Sequence, residues 1–184
     1  SFDRKIGQYN ILVCNGCRLA YVFPRPTVEE LMRFYGLIDV GAFFYDSDNK
    51  IKRCFFERCY REIERHVPNG RLLDFGCGDC GFLNSPSGSK YSLYGSDFNE
   101  KVRDIKLRNK VKFLIGPIEG QEVENNYFDA IFTSATYEHL LEPRKTTQEL
   151  NRILKPGGLL MIVSVPNYNA LNIKLGLEDR KVDS

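Results

Sequence analysis

Three glycines and two aspartates carry the sharpest chemical signal in this sequence. In Leu72-Leu73-Asp74-Phe75-Gly76-Cys77-Gly78-Asp79-Cys80-Gly81 an apolar run breaks into glycines. Glycine lets the backbone bend sharply and lets a ligand approach the main chain without meeting a side chain. A helix starting after such a turn offers free N–H groups. A second apolar run, Ser92 to Ser96, ends in Asp97, 23 residues after Asp74. Neighbouring strand ends would set that carboxylate beside the turn, where two accepting oxygens suit the vicinal diol of a ribose. Gly76, Gly78 and Gly81 also satisfy G-x-G-x-x-G, the spacing of dinucleotide sites. The residues therefore leave open a nicotinamide dinucleotide, an adenosyl compound, or a tight turn with no ligand. Asp74 weighs toward an adenosyl compound with a cationic amino-acid end, because a charged side chain closing a buried strand needs a reason.

Two further groups could do chemistry. Cys14-Asn15-Gly16-Cys17 has the C-x-x-C spacing of a metal knuckle, but tetrahedral zinc needs four ligands and one knuckle supplies two. Cys54, Cys59, Cys77 and Cys80 are poorly placed to complete it, and no bound metal is expected. The competing reading is a hairpin with two free thiols. Glu138-His139 follows a predicted strand by a few residues. An unperturbed imidazole titrates near neutrality, which suits His139 to general-base work; a histidine at a strand-to-helix junction equally often pins a loop. His66, at the end of a surface helix, reads as structural.

The elements that must position these residues follow from periodicity. Ile11 to Phe23 reads as two short strands around the cysteine knuckle. Pro24 and Pro26 interrupt the chain, and Thr27 with Glu30 has capping-box spacing before a short helix to about Tyr35. Asp46 or Ser47 caps a long helix to about Val67, with a stripe of Ile51, Phe55, Cys59, Ile63 and Val67 widened by Phe56 and Tyr60. The Lys and Arg on its other face read as a solvated surface. From Gly70 strands alternate with helices: strands at 72–75, 92–96, 111–115, 128–133 and 159–165, helices at 99–107 and 143–155. This pattern implies a doubly wound, mostly parallel α/β sheet. Pro86 and Gly88 predict a short or distorted helix after the glycine turn.

Composition sets the frame. The chain of 184 residues is 42% hydrophobic and 27% charged, an ordinary globular balance with room for one domain and a small appendage. A net charge of +2 gives no argument for nucleic acid or an anionic membrane. No apolar run reaches the roughly 18 residues of a membrane span. Ser1 to Asn10 lacks the apolar core of a signal peptide, and six cysteines without one predict reduced thiols and a cytoplasmic protein.

The motifs together resemble the class I S-adenosylmethionine-dependent methyltransferases. Leu72 to Gly78 is similar to their first motif, Asp97 falls at their ribose-binding acid, and Tyr127 to Ile131 resembles their fourth strand. Glu138-His139-Leu140 with Glu142-Pro143 resembles a run found in the branch that includes ubiquinone-type O-methyltransferases. Leu150 to Leu160 and Val165-Pro166-Asn167 resemble the segment around their fifth strand. The resemblance runs from about Arg71 to Asn167 and implies a Rossmann-like sheet of order 3-2-1-4-5, with later strands of the family falling beyond this chain. It implies S-adenosylmethionine as cofactor and S-adenosylhomocysteine as product. Asp74, Gly76, Cys77 and Gly78 would line the methionine part, Asp97 the ribose, and Phe98 the adenine or ribose. Pro117, Ile118 and Glu119 would border the adenine, and Ser134 with Ala135 the sulfonium. Many relatives carry an acceptor for the adenine amino group where Pro117 stands. Glu138 and His139 would face the acceptor. Some relatives carry a zinc ribbon first, so Cys14 and Cys17 would be half of one whose other half lies upstream.

The expected organisation is an appendage over residues 1–45 and a methyltransferase domain over 46–184. The expected function is methyl transfer to a small-molecule acceptor, with no nucleic-acid or membrane partner. The alternative is a non-catalytic adenosylmethionine-binding domain serving as partner or scaffold. A nicotinamide-dependent oxidoreductase is the weakest reading, since the Glu138-His139 and Lys155-Pro156-Gly157-Gly158 segments argue against it.

Overall fold

The structure, a computed structural model, describes residues 2–6, 9–27, 29–30, 33 and 50–167. Chain contacts separate two units, one built on a small antiparallel sheet, the other spanning Met32–Val165. The small sheet has three strands, β1 (Phe2–Ile6), β2 (Tyr9–Val13) and β3 (Ala20–Phe23), in that order. Sequence reasoning found β2 and β3 and missed β1, whose polar, mixed residues show no alternation. The β2–β3 turn closes with Cys14 N–H donating to Leu19 O and Arg18 N–H to Cys14 O, both at 2.9 Å. The Thr27/Glu30 capping box is present: Thr27 N–H donates to Glu30 Oε2 at 2.7 Å and Glu30 N–H to Thr27 Oγ1 at 3.1 Å. Most of the helix predicted after it, and the predicted cap at Asp46 or Ser47, lie outside the described residues.

The second unit is a five-stranded, wholly parallel sheet. Its strands are β4 (Gly70–Phe75), β5 (Tyr91–Asp97), β6 (Val111–Ile115), β7 (Phe128–Ser134) and β8 (Leu154–Val163). Their order is β6-β5-β4-β7-β8, which is the predicted 3-2-1-4-5. Alternation along the strands splits the core in two. Leu72, Leu93, Ala130 and Phe132 face α1 (Lys50–His66), and Leu73, Phe75, Tyr94 and Ile131 pack with Leu150 and Ile153 of α2 (Pro143–Ile153).

The buried stripe of α1 is Phe56, Cys59, Tyr60 and Ile63, continued by Val67. All five lie in the predicted stripe, which loses only Ile51, 81% exposed, and Phe55, at the surface. An aromatic stack anchors the buried part. Tyr60 stacks on Phe82 at 4.2 Å, Phe82 on Phe132 at 3.8 Å, and Phe56 meets both edge-on. Such pairs add roughly 0.5–1.5 kcal/mol each beyond area burial. Phe82 follows the glycine turn directly, so this stack fixes α1 against that turn.

Two predicted elements differ. Residues 99–107 form no α-helix, only a 3-10 turn, Glu100–Asp104. Arg108 N–H donates to Asn84 Oδ1 at 2.8 Å, and Asn109 Nδ2 donates to Leu83 O and Ser85 O at 2.8 Å each. These bonds hold the chain extended where a helix would continue. The strand predicted from Leu159 begins earlier, at Leu154, because Leu154 pairs with Phe128 before Lys155-Pro156-Gly157-Gly158 shifts the register to Ala130↔Leu159. It ends at Val163, where Ser164 turns to φ +60°. After the glycine turn the only regular element is a 3-10 turn, Pro86–Lys90, as the Pro and Gly there predict. Among the described residues no helix is long and apolar enough to cross a membrane.

Candidate cofactor site

The strand ends of β4, β5, β6 and β7 meet at one lip of the sheet, where open α/β folds bind ligands. At the end of β4 the chain reverses through Gly76 at φ +76° and Gly78 at φ +48°. The two glycines serve different ends. A Cβ on Gly76 would lie 2.3 Å from Thr136 Oγ1, so Gly76 admits the loop after β7; beside Gly78 a Cβ would meet nothing within 4 Å. Gly78 therefore presents bare backbone to open space.

The turn is tied to β5 by main-chain bonds. Gly76 N–H and Cys77 N–H both donate to Ser96 O, at 2.8 and 3.0 Å. Asp97 completes the tie: Oδ2 accepts from Gly78 N–H and Oδ1 from Asn99 N–H, both at 2.9 Å. Each carboxylate oxygen keeps a further lone pair for a ligand hydroxyl. Phe98, next along, is 47% exposed.

Asp74 is buried beneath the turn. Burial, followed by the charges of Asp97 and Asp79, holds its carboxyl well above the usual carboxylate range, while Lys52 draws it down. Cys77 and Cys80 lie with their sulfurs 4.0 Å apart, and that contact together with burial pushes the Cys77 thiol far up. Neither is joined in a disulfide.

The other two loops adjoin this centre. Gly116 N–H donates to Asp97 O at 2.9 Å, which brings Pro117, Ile118 and Glu119 to the end of β5. Ile118 is buried, and one oxygen of Glu119 accepts from Thr146 Oγ1 at 2.5 Å, so that carboxylate leans toward α2. After β7, Ala135 takes φ +51°, and Thr136 Oγ1 donates to Ser134 O at 3.1 Å beside Phe75 O at 3.4 Å. Ser134 Oγ lies 3.2 Å from Ser164 Oγ. Glu138 and His139 sit on the 3-10 turn Tyr137–His139, their side chains 4.0 Å apart, with His139 57% exposed.

The structure thus gathers Asp74, Gly76, Cys77, Gly78, Asp97, Phe98 and Pro117 to Glu119 around linked strand ends, with Ser134 and Ala135 joined through Thr136. Glu138 and His139 stand further along that last loop. Sequence reasoning missed Thr136 and Lys52, whose Nζ pairs with Asp79 Oδ2. Neither had a signal, since a loop threonine and one lysine among many helix cations are unremarkable. A cavity of about 360 Å³ on the outer face of α1, lined by Lys50, Arg53, Cys54, Glu57 and Arg61, is separate from the strand ends. In the small sheet, backbone N–H groups of Cys17 and Gly16 lower the Cys14 thiol from its ordinary value. Among the described residues no three His, Cys, Asp or Glu side chains converge as metal ligands.

Comparison with known proteins accords with this geometry. Residues 73–162 match a family profile described as a methyltransferase domain. A ubiquinone/menaquinone biosynthesis C-methyltransferase of Geotalea daltonii is 26% identical over 149 residues, covering 72% of this chain and 63% of that protein. A malonyl-[acyl-carrier protein] O-methyltransferase of Ilyobacter polytropus is 26% identical over 129 residues, covering 66% and 49%. The chain thus spans less than two thirds of the length of either relative. A SAM-dependent methyltransferase from Thermotoga maritima shares the fold, with a TM-score of 0.54 at 22% identity over 72% of this chain and 61% of that one. The family match runs unbroken from β4 into β8, through every loop at the lip of the sheet, and over these residues the chain is similar to S-adenosylmethionine-dependent methyltransferases.

Proposed function

We propose that this protein binds S-adenosylmethionine at the lip of the sheet and transfers its methyl group to a small-molecule acceptor. The observation that carries this reading is Asp97, pinned by two backbone N–H groups with a lone pair left on each oxygen. A carboxylate so fixed can accept from both hydroxyls of a ribose without first losing freedom. When bound, the cofactor supplies an already activated methyl group, so the protein's work is binding and positioning.

The residues fit that group. The open backbone at Gly78, with Gly76 and Cys77, borders the methionine end, and buried Asp74 answers its ammonium. Phe98 offers a face to the adenine or ribose, and Pro117, Ile118 and Glu119 border the adenine. Ser134 and Ala135 flank the methyl end. His139, with Glu138 beside it, takes the acceptor's proton as general base. Residues 46–184 form the transferase domain in this reading and residues 1–45 an accessory module carrying the Cys14/Cys17 knuckle. No nucleic-acid or membrane partner is invoked. A quinol ring, the kind of compound the Geotalea relative's name indicates, is the first acceptor to assay.

The second reading, a non-catalytic binding domain, draws support from Pro117, which has no acceptor side chain, and from the bare 3-10 turn after the glycines. The test is transfer of a labelled methyl group from adenosylmethionine to a panel of quinols and other small acceptors. Label in the organic extract, lost in Asp97→Ala, supports transfer. Cofactor binding with no label moved to any acceptor overturns it in favour of the binding domain.

A further inference from the structure

The charges of α1 are distributed unevenly. In Lys50–His66 six Lys and Arg stand against three Glu, so the helix carries +3 while the whole chain carries +2. The rest of the chain is therefore slightly acidic. Opposite the buried stripe of Phe56, Cys59, Tyr60 and Ile63 runs a second stripe: Lys50, Cys54, Arg58, Arg61 and Arg65. Successive members are three or four residues apart, so they line one side of the helix. All five are exposed, four are cations, and none is acidic.

The helix's own carboxylates leave most of that charge unanswered. Glu57 accepts from the hydroxyls of Ser85 and Ser87, beyond the helix. Glu62 accepts from Arg65 at 2.6 Å, and Glu64 pairs with Lys90. Lys50 and Arg58 have no ion pair among the described residues, and Arg61 acts on Glu57 across space without a hydrogen bond to it.

The surface there is grooved. The cavity of about 360 Å³ on this face shares Arg61 with a second depression of about 280 Å³, lined by Arg58, Arg61, Glu62 and Arg65. Together they follow the helix from Lys50 to Arg65, roughly 22 Å at 1.5 Å per residue. Cys54 is the small residue in this line of long cations. Along one side lie the exposed apolar side chains of Ile51 and Phe55. A groove one helix wide, cationic along its length and apolar at one edge, complements an amphipathic helix with a carboxylate every three or four residues. A duplex or an anionic bilayer is a broad negative surface and would also meet the slightly acidic remainder of the chain, so it fits less well.

We propose that the outer face of α1 docks an acidic helix of a partner protein, its carboxylates on Lys50, Arg58 and Arg61 and an apolar side chain against Ile51 and Phe55. The face is separate from the strand ends, so the proposal stands whether or not the cofactor reading does.

The test uses the whole chain and two synthetic helical peptides as long as α1. One carries Glu at every third or fourth position beside a row of Leu, the other Gln in place of Glu. Fluorescence anisotropy should show saturable binding of the Glu peptide, weakened severalfold between ~50 and ~200 mM salt, and affinity for the Gln peptide lower by about tenfold or more. Arg58→Glu with Arg61→Glu should weaken the Glu peptide about tenfold or more and admit a Lys peptide of the same design, an exchange that a merely structural role would not produce. Lys110→Glu, exposed and off the helix, should change neither. Should the doubly reversed variant fail to fold by circular dichroism, Arg58→Gln with Arg61→Gln should still weaken the Glu peptide severalfold. No binding of the Glu peptide, equal binding of the Gln peptide, or affinity unchanged in a folded variant overturns the proposal. Tighter binding of a DNA duplex or of anionic phospholipid vesicles than of the Glu peptide overturns it in favour of that surface.

Discussion

The two halves of the sheet's lip are built differently. The turn after β4 is held to β5 by main-chain bonds from Gly76 and Cys77 and by a carboxylate that takes two more N–H groups. The loop after β7 has a single main-chain tie to the neighbouring strand, Ala135 N–H to Val163 O at 3.2 Å, and otherwise the Thr136 hydroxyl and a one-turn 3-10 segment whose start has no side-chain cap. Thr133, at the end of β7, buries a hydroxyl with no hydrogen-bond partner among the described residues. The first half fixes a shape with backbone, as suits the one cofactor proposed for it. The second leaves side chains exposed, so its chemistry can vary without disturbing the scaffold.

That contrast predicts different failures. The largest effect belongs to the exposed half: His139→Ala should lower turnover by ~10²–10⁴-fold if the imidazole is the base. Because His139 is 57% exposed, its melting temperature and adenosylhomocysteine affinity should hold. Near-normal turnover would remove it from the mechanism, and a lower melting temperature would make it a loop pin. Next is Gly76→Ala, which combines a positive φ with collision against Thr136 and should cost roughly 2–4 kcal/mol of stability by denaturant titration. Gly157→Ala, at φ +78° in open space, meets only the strain and should cost about 1–2 kcal/mol. Equal losses at the two glycines would show that the close approach of the two loops carries no weight.

The smallest effect is electrostatic. Asp74 keeps its proton in the folded protein to higher pH than an unfolded aspartate does. The folded state then binds more protons, so this residue's contribution to stability falls as pH rises from ~4 through the raised value. In ligand-free Asp74→Asn that slope should vanish, and the mutant's melting temperature should gain on the wild type with rising pH. A difference that does not change with pH would remove the buried charge from the account.

Much of this was legible where local chemistry decides. β6 occupies the expected 111–115, and α2 starts at Pro143, because proline and glycine punctuate the chain there. The glycine turn and Asp97 were legible as a pair because strand alternation fixes their distance. The helix expected over 99–107 failed because Asn84 and Asn109 bind the chain across 24 or more positions, which no window of sequence contains. The exposure of Ile51 and Phe55 on α1 was not legible, because Phe56 is the residue drawn inward by Phe82 and Phe132, which belong to other elements. The need for glycine at position 76 lies in Thr136, 60 residues later, and the sequence marks neither partner. Lys52 was hidden for a related reason: which of several helix cations meets the turn depends on helix rotation, which packing sets.

The central claim, that Asp97 and the glycine turn form an adenosyl site, is tested most directly by calorimetric titration of the chain and its Asp97→Ala variant with adenosylhomocysteine and with NAD. The account predicts saturable adenosylhomocysteine binding, no NAD binding, and an affinity roughly tenfold or more weaker in a folded Asp97→Ala. NAD binding in place of adenosylhomocysteine, or an unchanged affinity in the variant, would contradict it.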